Sequence, residues 1–268
     1  MQEASDRFRQ EGIGLAAISY DSDAILRDFS QRHKIEYPLL SDPKSEIIQR
    51  YGVLNQQATG FTKGMAIPGY FYITPDGVIK EKFFETSYSD RYTASNLLLK
   101  LFPQLVEGAG REVAAPYIKL NLFQSDKIVI PGSRFTVAAE IELPSDTHVY
   151  APGVKGYKQI QLTLEGSPEL RLDSVQYPES KVLYLPAIKE SVPVFEGKFR
   201  ISQDVIVSAD RKFMSSIGEG KPITIRGTLF YQACDATKCY LPQKSDVSWE
   251  VRVVSLDRDR SPEGIQHK

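Results

Sequence analysis

The sequence predicts two domains, an α/β domain over residues 1–107 and an all-β sandwich over residues 113–256. Three observations carry this reading. The chain has 268 residues, more than the ~100–200 of an ordinary single domain. In its first part, short apolar runs alternate with stretches of helical periodicity. In its second part helical periodicity almost disappears and period-two alternation replaces it. The composition changes between them, from Pro103 to Pro116. With 41% hydrophobic and 25% charged residues, either part can bury a core of its own.

The elements of the first part follow from local patterns. Met1–Gln10 reads as a helix with Ala4 and Phe8 on one face, ended by Gly12. The run IGLAAISY, Ile13–Tyr20, is almost continuously apolar, the pattern of a strand buried on both faces. Asp21, Ser22 and Asp23 offer helix N-caps, and Ala24, Ile25, Phe29 and the stem of Arg32 follow at helical spacing. Tyr37–Leu40 leads into a turn at Ser41-Asp42-Pro43, and Ser45–Tyr51 forms a short helix stopped by Gly52. After a loop rich in Gly, Thr and Gln, Ile67-Pro68-Gly69 introduces a strand, Tyr70–Thr74. Pro75-Asp76-Gly77 turns it back into a second strand, Val78–Phe84. A helix over Tyr92–Phe102 closes the region.

The second part is a series of alternating strands. Phe135, Val137, Ala139 and Ile141 form one apolar face, as do Ile160, Leu162 and Leu164. Ile223, Ile225, Leu229 and Tyr231 form another, and so do Val247, Trp249, Val251 and Val253. Gly and Pro punctuate the gaps, the pattern of a sandwich. The tail, DRDRSPEGIQHK, reads as charged and frayed.

A net charge of −1 and a pI near 6.4 supply no basic field to recruit nucleic-acid phosphates. The longest apolar stretches, such as Leu97–Leu99, are far too short to span a bilayer. The N-terminus, MQEASDRFRQEG, lacks the apolar segment of a secretory signal.

The two cysteines, Cys234 and Cys239, lie in FYQACDATKCYLP with four residues between them. Four readings stand: a redox-active pair, a structural disulfide, two reduced thiols and half of a zinc site. As a staple the pair is weak, because a six-residue ring removes only about 2 kcal/mol of unfolded-state entropy, against ~4.7 for a 100-residue loop. A β domain of this size has core enough to need no staple. Zinc lacks its remaining ligands, since His33, His148 and His267 are scattered and no second cysteine pair exists. The redox-active reading leads.

Tyr231-Gln232-Ala233-Cys234 and Cys239-Tyr240-Leu241-Pro242 resemble the cysteine motif of the N-terminal domain of the thiol:disulfide interchange protein DsbD. His148-Val149-Tyr150-Ala151-Pro152 sits where that family places aromatic residues beside its cysteines. The resemblance covers roughly Val113–Leu256, with the cysteines one residue closer together than in the family's best-known member. It implies an immunoglobulin-like sandwich that shuttles electrons from a membrane-embedded or thioredoxin-like partner to oxidised proteins. It implies Cys234 and Cys239 as the catalytic pair, shielded by Tyr150, Tyr240 and His148. Lys238 beside Cys239 would stabilise a thiolate there, and Asp235 beside Cys234 would oppose one.

The first part is similar to a thioredoxin-fold redoxin of the peroxiredoxin type. The carriers are Gly14–Ser22, Tyr37–Pro43, Tyr51–Asn55 and Ile67–Gly77. That resemblance implies a cis bond at Pro68, lying against the family's active site. It also implies an earlier strand–helix unit carrying a catalytic cysteine, whereas no cysteine precedes Cys234. The expectation is therefore a truncated redoxin domain whose catalytic unit, and any signal peptide, lay upstream, with a non-catalytic relic as the alternative.

Other residues have plainer explanations. Asp21 and Asp23 as catalytic carboxylates compete with helix capping. His33 belongs on an exposed helix end. His148 reads first as a plain surface histidine, and tuning of a thiolate is the alternative, because the resemblance puts it close to Cys234 and Cys239. Met65 and Met214 show no clustering with the cysteines that would favour copper. The expected function is thiol–disulfide exchange in an extracytoplasmic, periplasmic setting, with no cofactor and no metal. A protein-binding sandwich with a structural disulfide is the alternative. A peroxidase is third, because its thiol is missing from the redoxin part.

Overall fold

The computed structural model describes residues 1–85, 87–103, 110–185, 189–216, 220–256 and 259–266. The chain divides into two compact units, Met1–Leu98 together with the segment from Leu256 onward, and Leu99–Ser255. His267 lies outside the described residues.

The first unit is α/β. A 3-10 turn, Gln2–Ala4, runs into the helix Ser5–Gln10, which buries Ala4 and Phe8. Gly12 follows with a left-handed φ of 74° that a side chain would resist. The strands Ala17–Ser19 and Leu39–Ser41 pair in parallel, with Ile18 opposite Leu40. The helix Asp23–His33 connects them. Its N-cap is Ser22, whose Oγ accepts the Ile25 N–H at 3.5 Å, and Asp23 occupies the first turn. Asp42 organises the next helix, Glu46–Arg50, by accepting the N–H groups of Glu46, Ile47 and Ile48 at 2.9–3.0 Å. The strands Gly69–Ile73 and Ile79–Phe84 form the expected hairpin, and the helix Ala94–Leu101 follows.

Four expectations need correction. The strand expected over Ile13–Tyr20 is confined to Ala17–Ser19, and its Ala17 and Ile18 are exposed. A two-stranded sheet offers too little neighbouring surface to cover both faces of such a run. In the helix Asp23–His33 the buried residue is Leu26, whereas Ala24 and Phe29 face outward. The Ile67–Pro68 bond is trans, since no peptide bond among the described residues is cis. Trans is the X–Pro default by about 0.5–1 kcal/mol, and the hairpin forms with it. Gly69, the next residue, has a clear role: the Phe84 ring fills the space a Cβ there would need. Finally, the C-terminal segment is tied down by Ser261, whose Oγ donates to Asp28 Oδ2 at 2.8 Å.

The second unit is a β-sandwich. One layer runs Leu170–Gln176, Lys198–Val207, Ser133–Glu142, Lys119–Gln124 and Arg111–Val113, all antiparallel. The other runs Gln161–Leu164, Lys221–Tyr231, Gln243–Val253 and Ile128–Val129, the last pair parallel. The alternating residues read from the sequence meet in one core, including Phe135, Ile141, Leu162, Ile225, Leu229, Tyr231 and Trp249. Gly227 permits one close approach, because a Cβ there would lie 2.5 Å from the Thr163 carbonyl oxygen. The opposite face of Ser133–Glu142 is also buried. There Arg134 pairs with Asp173 and Asp204, and Asp204 also takes Lys100 Nζ at 2.8 Å and Thr136 Oγ1 at 2.7 Å.

A third, smaller antiparallel sheet runs Lys181–Leu185, Glu190–Glu196, His148–Tyr150 and Ala233–Cys234. Its two faces do different things. Val149, Phe195 and Ala233 join the main core, while Tyr150, Val192, Val194 and Cys234 form a separate cluster on the other side.

Candidate functional site

The long strand Lys221–Tyr231 passes through Gln232 into Ala233–Cys234, turns, and returns from Cys239 toward Gln243–Val253. Two backbone bonds bracket the cysteines: Tyr240 N–H to Ala233 C=O and Asp235 N–H to Lys238 C=O, both 2.9 Å. This makes Cys234 and Cys239 a non-hydrogen-bonded antiparallel pair, the arrangement in which facing side chains come closest. Their Cα atoms are 4.0 Å apart and their sulfurs are joined at 2.05 Å.

Asp235 shapes the turn. Its Oδ1 accepts the N–H groups of Thr237 (2.8 Å) and Lys238 (2.9 Å) and the Thr237 hydroxyl (2.7 Å). Its Oδ2 accepts the Tyr240 hydroxyl at 3.0 Å. The Thr237 hydroxyl and then the two N–H groups hold the Asp235 carboxyl far below the usual carboxylate range. Gln232 Nε2 donates to the Tyr240 carbonyl at 2.8 Å, and Tyr231 anchors the base of the motif by donating to the Pro116 carbonyl at 2.8 Å.

Strand register sets the site's neighbours. Glu196 pairs with His148, His148 with Cys234, and Cys234 with Cys239, so the four occupy one row on one face. The row grades in exposure: Cys239 is exposed, Cys234 only 1% exposed and His148 only 4%, so His148 is not the surface histidine expected from the sequence, because its strand lies between two others in the small sheet. Burial pushes the His148 pKa down, while Glu196 and Asp235 oppose that shift.

Tyr150 closes the row from beside it. It is buried, its ring stands edge-on to His148 with centroids 5.4 Å apart, and its hydroxyl lies 3.9 Å from Cys239 Sγ. Tyr157 packs against its other side, with centroids 4.3 Å apart, and donates a short hydrogen bond to Glu190. That bond pushes the Tyr157 pKa up to about 12, and burial raises that of Tyr150.

Cys234, Cys239, Tyr150 and His148 thus come together. Tyr240 is half-buried over the turn, stacked on Tyr117 with centroids 4.4 Å apart. Lys238 Nζ lies 5.0 Å from the Tyr240 ring centroid, so its charge rests on that ring. Pro68 belongs to the other unit. His33, expected on an exposed helix end, is half-buried and packs on Phe29, with ring centroids 4.4 Å apart. Among the described residues no group of three or more His, Cys, Asp or Glu is arranged to hold a metal ion. Tyr157 was not expected in the site, and Asp235 was expected only to oppose a thiolate at Cys234, not to build the turn. Asp235 and Thr237 had a readable signal, an Asx turn within CDATKC. Tyr157 lies in an irregular loop with no pattern to mark it.

Fold and site together define a redoxin-type α/β segment followed by a DsbD-type immunoglobulin-like sandwich that holds a disulfide. Residues 1–82 match the AhpC/TSA family, and residues 121–250 match the N-terminal domain of the thiol:disulfide interchange protein DsbD. Alkyl hydroperoxide reductase C of Staphylococcus haemolyticus is 27% identical over 84 residues, 30% of this chain. The chain spans 42% of the length of that curated relative. Among solved structures, the reduced N-terminal domain of Neisseria meningitidis DsbD is similar at 14% identity with a TM-score of 0.30. That match covers 43% of this chain and 77% of the other. The N-terminal periplasmic domain of ScsB from Proteus mirabilis is similar at 10% identity and a TM-score of 0.36, covering 52% and 49%. No described helix is long and apolar enough to cross a membrane.

Proposed function

We propose that Cys234 and Cys239 are a redox pair, and that the module over residues 113–256 passes electrons between a dithiol partner protein and oxidised targets. The partner is a thioredoxin-like or membrane-embedded thiol–disulfide protein, met outside the cytoplasm, where disulfides persist. The observation that carries the reading is the unequal exposure of the two cysteines, with Cys239 an exposed residue and Cys234 a buried one. A staple needs no such asymmetry, but ordered exchange does.

In the loading step a partner thiolate attacks Cys239 Sγ, the disulfide breaks, and Cys234 leaves with the electron pair. The partner's second thiolate then attacks its own sulfur in the mixed disulfide and releases Cys239. In delivery the Cys239 thiolate attacks the target disulfide, and Cys234 resolves the intermediate. Tyr150 is placed to donate its hydroxyl proton in a hydrogen bond to the charge that develops on Cys239 Sγ, 3.9 Å away. Its raised pKa keeps that proton in place. The redoxin-like module over residues 1–107 has no cysteine within this chain and takes no part in these steps.

The test is redox equilibration of the folded chain. A dithiol such as dithiothreitol should open the pair without unfolding, at a potential above the roughly −300 mV typical of structural disulfides. Reduction of a protein disulfide should be lost in Cys234→Ser and Cys239→Ser. A pair that strong reductant cannot open in the folded state, or equal activity in all three proteins, would make the disulfide a staple and the sandwich a binding module.

A further inference from the structure

His148 poses a problem in hydrogen bonding. It is 4% exposed, and its Nε2 has no hydrogen-bond partner. Buried polar atoms are seldom left this way, and each such atom calls for an explanation. The residue directly across the strand pair is Cys234, 1% exposed and on the same face. Side chains so paired have Cβ atoms about 4.5–5.5 Å apart, within reach of a hydrogen bond between an imidazole and a thiol. In the disulfide Cys234 carries no hydrogen and can donate nothing. In the dithiol it carries an S–H.

We infer that Nε2 of His148 is the acceptor of the Cys234 S–H in the reduced protein, so that this imidazole biases the pair toward the dithiol. The inference rests on the redox reading above. Chemically, the partner dithiol gives up two electrons and two protons as it becomes a disulfide. The Cys234–Cys239 bond takes the electrons, and each sulfur ends with one proton. Cys239 can collect its proton from water. Cys234 is sealed, and a thiolate there would be left in a low dielectric, so its protonated form needs a partner inside the fold. His148 supplies one when its ring is neutral with the proton on Nδ1. Burial favours that neutral ring. The groups facing it are Glu196 on one neighbouring strand, Tyr150 on its own strand, and Cys234 and Asp235 on the other side. Glu196 is itself offset by Lys181 Nζ at 3.9 Å. An acceptor orphaned in one redox state and satisfied in the other stabilises the second state selectively.

The experiment equilibrates the full chain with dithiothreitol, comparing wild type with His148→Phe and His148→Gln. His148→Phe should move the equilibrium toward the disulfide about tenfold, which is about 30 mV for this two-electron couple. His148→Gln, which keeps an acceptor, should fall between wild type and the phenylalanine variant. Independently of any variant, the Nε2 nitrogen resonance of wild-type His148 should shift on reduction as it gains a hydrogen bond. A Phe variant with the wild-type equilibrium, or an Nε2 resonance that does not move on reduction, would overturn the inference. Should the Phe variant fail to fold, the resonance decides. A wild-type disulfide that never opens while folded would instead sink the redox reading itself, so the two failures are distinguishable.

Discussion

Replacing each cysteine in turn converts the asymmetry of the site into a rate difference. In Cys234→Ser the remaining thiol is Cys239, already exposed on the hairpin. In Cys239→Ser the remaining thiol is Cys234, 1% exposed beneath the cluster of Tyr150, Val192 and Val194. A reagent reaches Cys234 only after that cluster opens locally. Uncovering one large side chain such as Tyr150 costs about 3 kcal/mol, at the upper end of the usual range for a buried side chain. At about 1.4 kcal/mol per decade, alkylation of Cys234 should be slower than that of Cys239 by on the order of 100-fold. Burial also disfavours the Cys234 thiolate, which acts in the same direction. The assay is iodoacetamide labelling followed by intact mass, with a denatured control in which both thiols react alike. Both variants lose the same six-residue ring, so both should lose a similar ~2 kcal/mol of stability and remain folded. With a dithiol partner, Cys234→Ser should trap a mixed disulfide through Cys239, and Cys239→Ser should not. Labelling rates within threefold of each other, or a faster Cys234, would refute the exposure argument.

Two further outcomes follow from the same geometry. Tyr231→Phe removes the hydroxyl that donates to the Pro116 carbonyl from a fully buried ring, and urea unfolding should show a loss of about 1 kcal/mol. The turn should also respond to acid in a defined direction. The folded pKa of Asp235 is depressed, so its contribution is fully present above the unfolded value of about 4 and is lost as pH falls toward the folded one. Amide exchange at Thr237 and Lys238 should therefore stay protected at pH 4 and below, and a carboxyl midpoint at or above pH 4 would contradict this.

The sandwich was legible because its strands bury one face each. Phe135, Val137, Ala139 and Ile141 alternate in sequence and lie together in the core, as do Val247, Trp249, Val251 and Val253. The burial of Arg134 and Thr136 on the reverse face was not legible, because it depends on Asp173 and Asp204 from strands that are distant in sequence. The cysteine motif was legible in its residue types and not in its depth. Nothing local says that Cys234 is sealed and Cys239 open, since that follows from a turn fixed by Asp235 and from a third sheet whose strand Lys181–Leu185 has only a short alternation, KVLYL. In the first unit, the buried strand expected at Ile13–Tyr20 and the cis bond expected at Pro68 both depend on neighbouring elements that the local residues do not specify. The run pairs in only two strands, and the bond is trans.

In the proposed cycle, the position of the pair would let the disulfide open and close without endangering the fold. Period-two alternation separates the two faces of the small sheet. Val149, Phe195 and Ala233 point into the main core, and their neighbours Tyr150, Val194 and Cys234 point away from it into a cluster of their own. The sandwich core is therefore held by residues that no redox step touches. What would change on reduction is one short ring and the satellite cluster beside it, against which Tyr157, Leu183 and Leu185 pack. Losing the ring's constraint of about 2 kcal/mol falls on the hairpin that bears it, and the long pairing of Lys221–Tyr231 with Gln243–Val253 holds the base of that hairpin in either state. This layout would uncouple local opening at the sulfurs from global unfolding, the property that the proposed dithiol carrier requires and a structural staple does not.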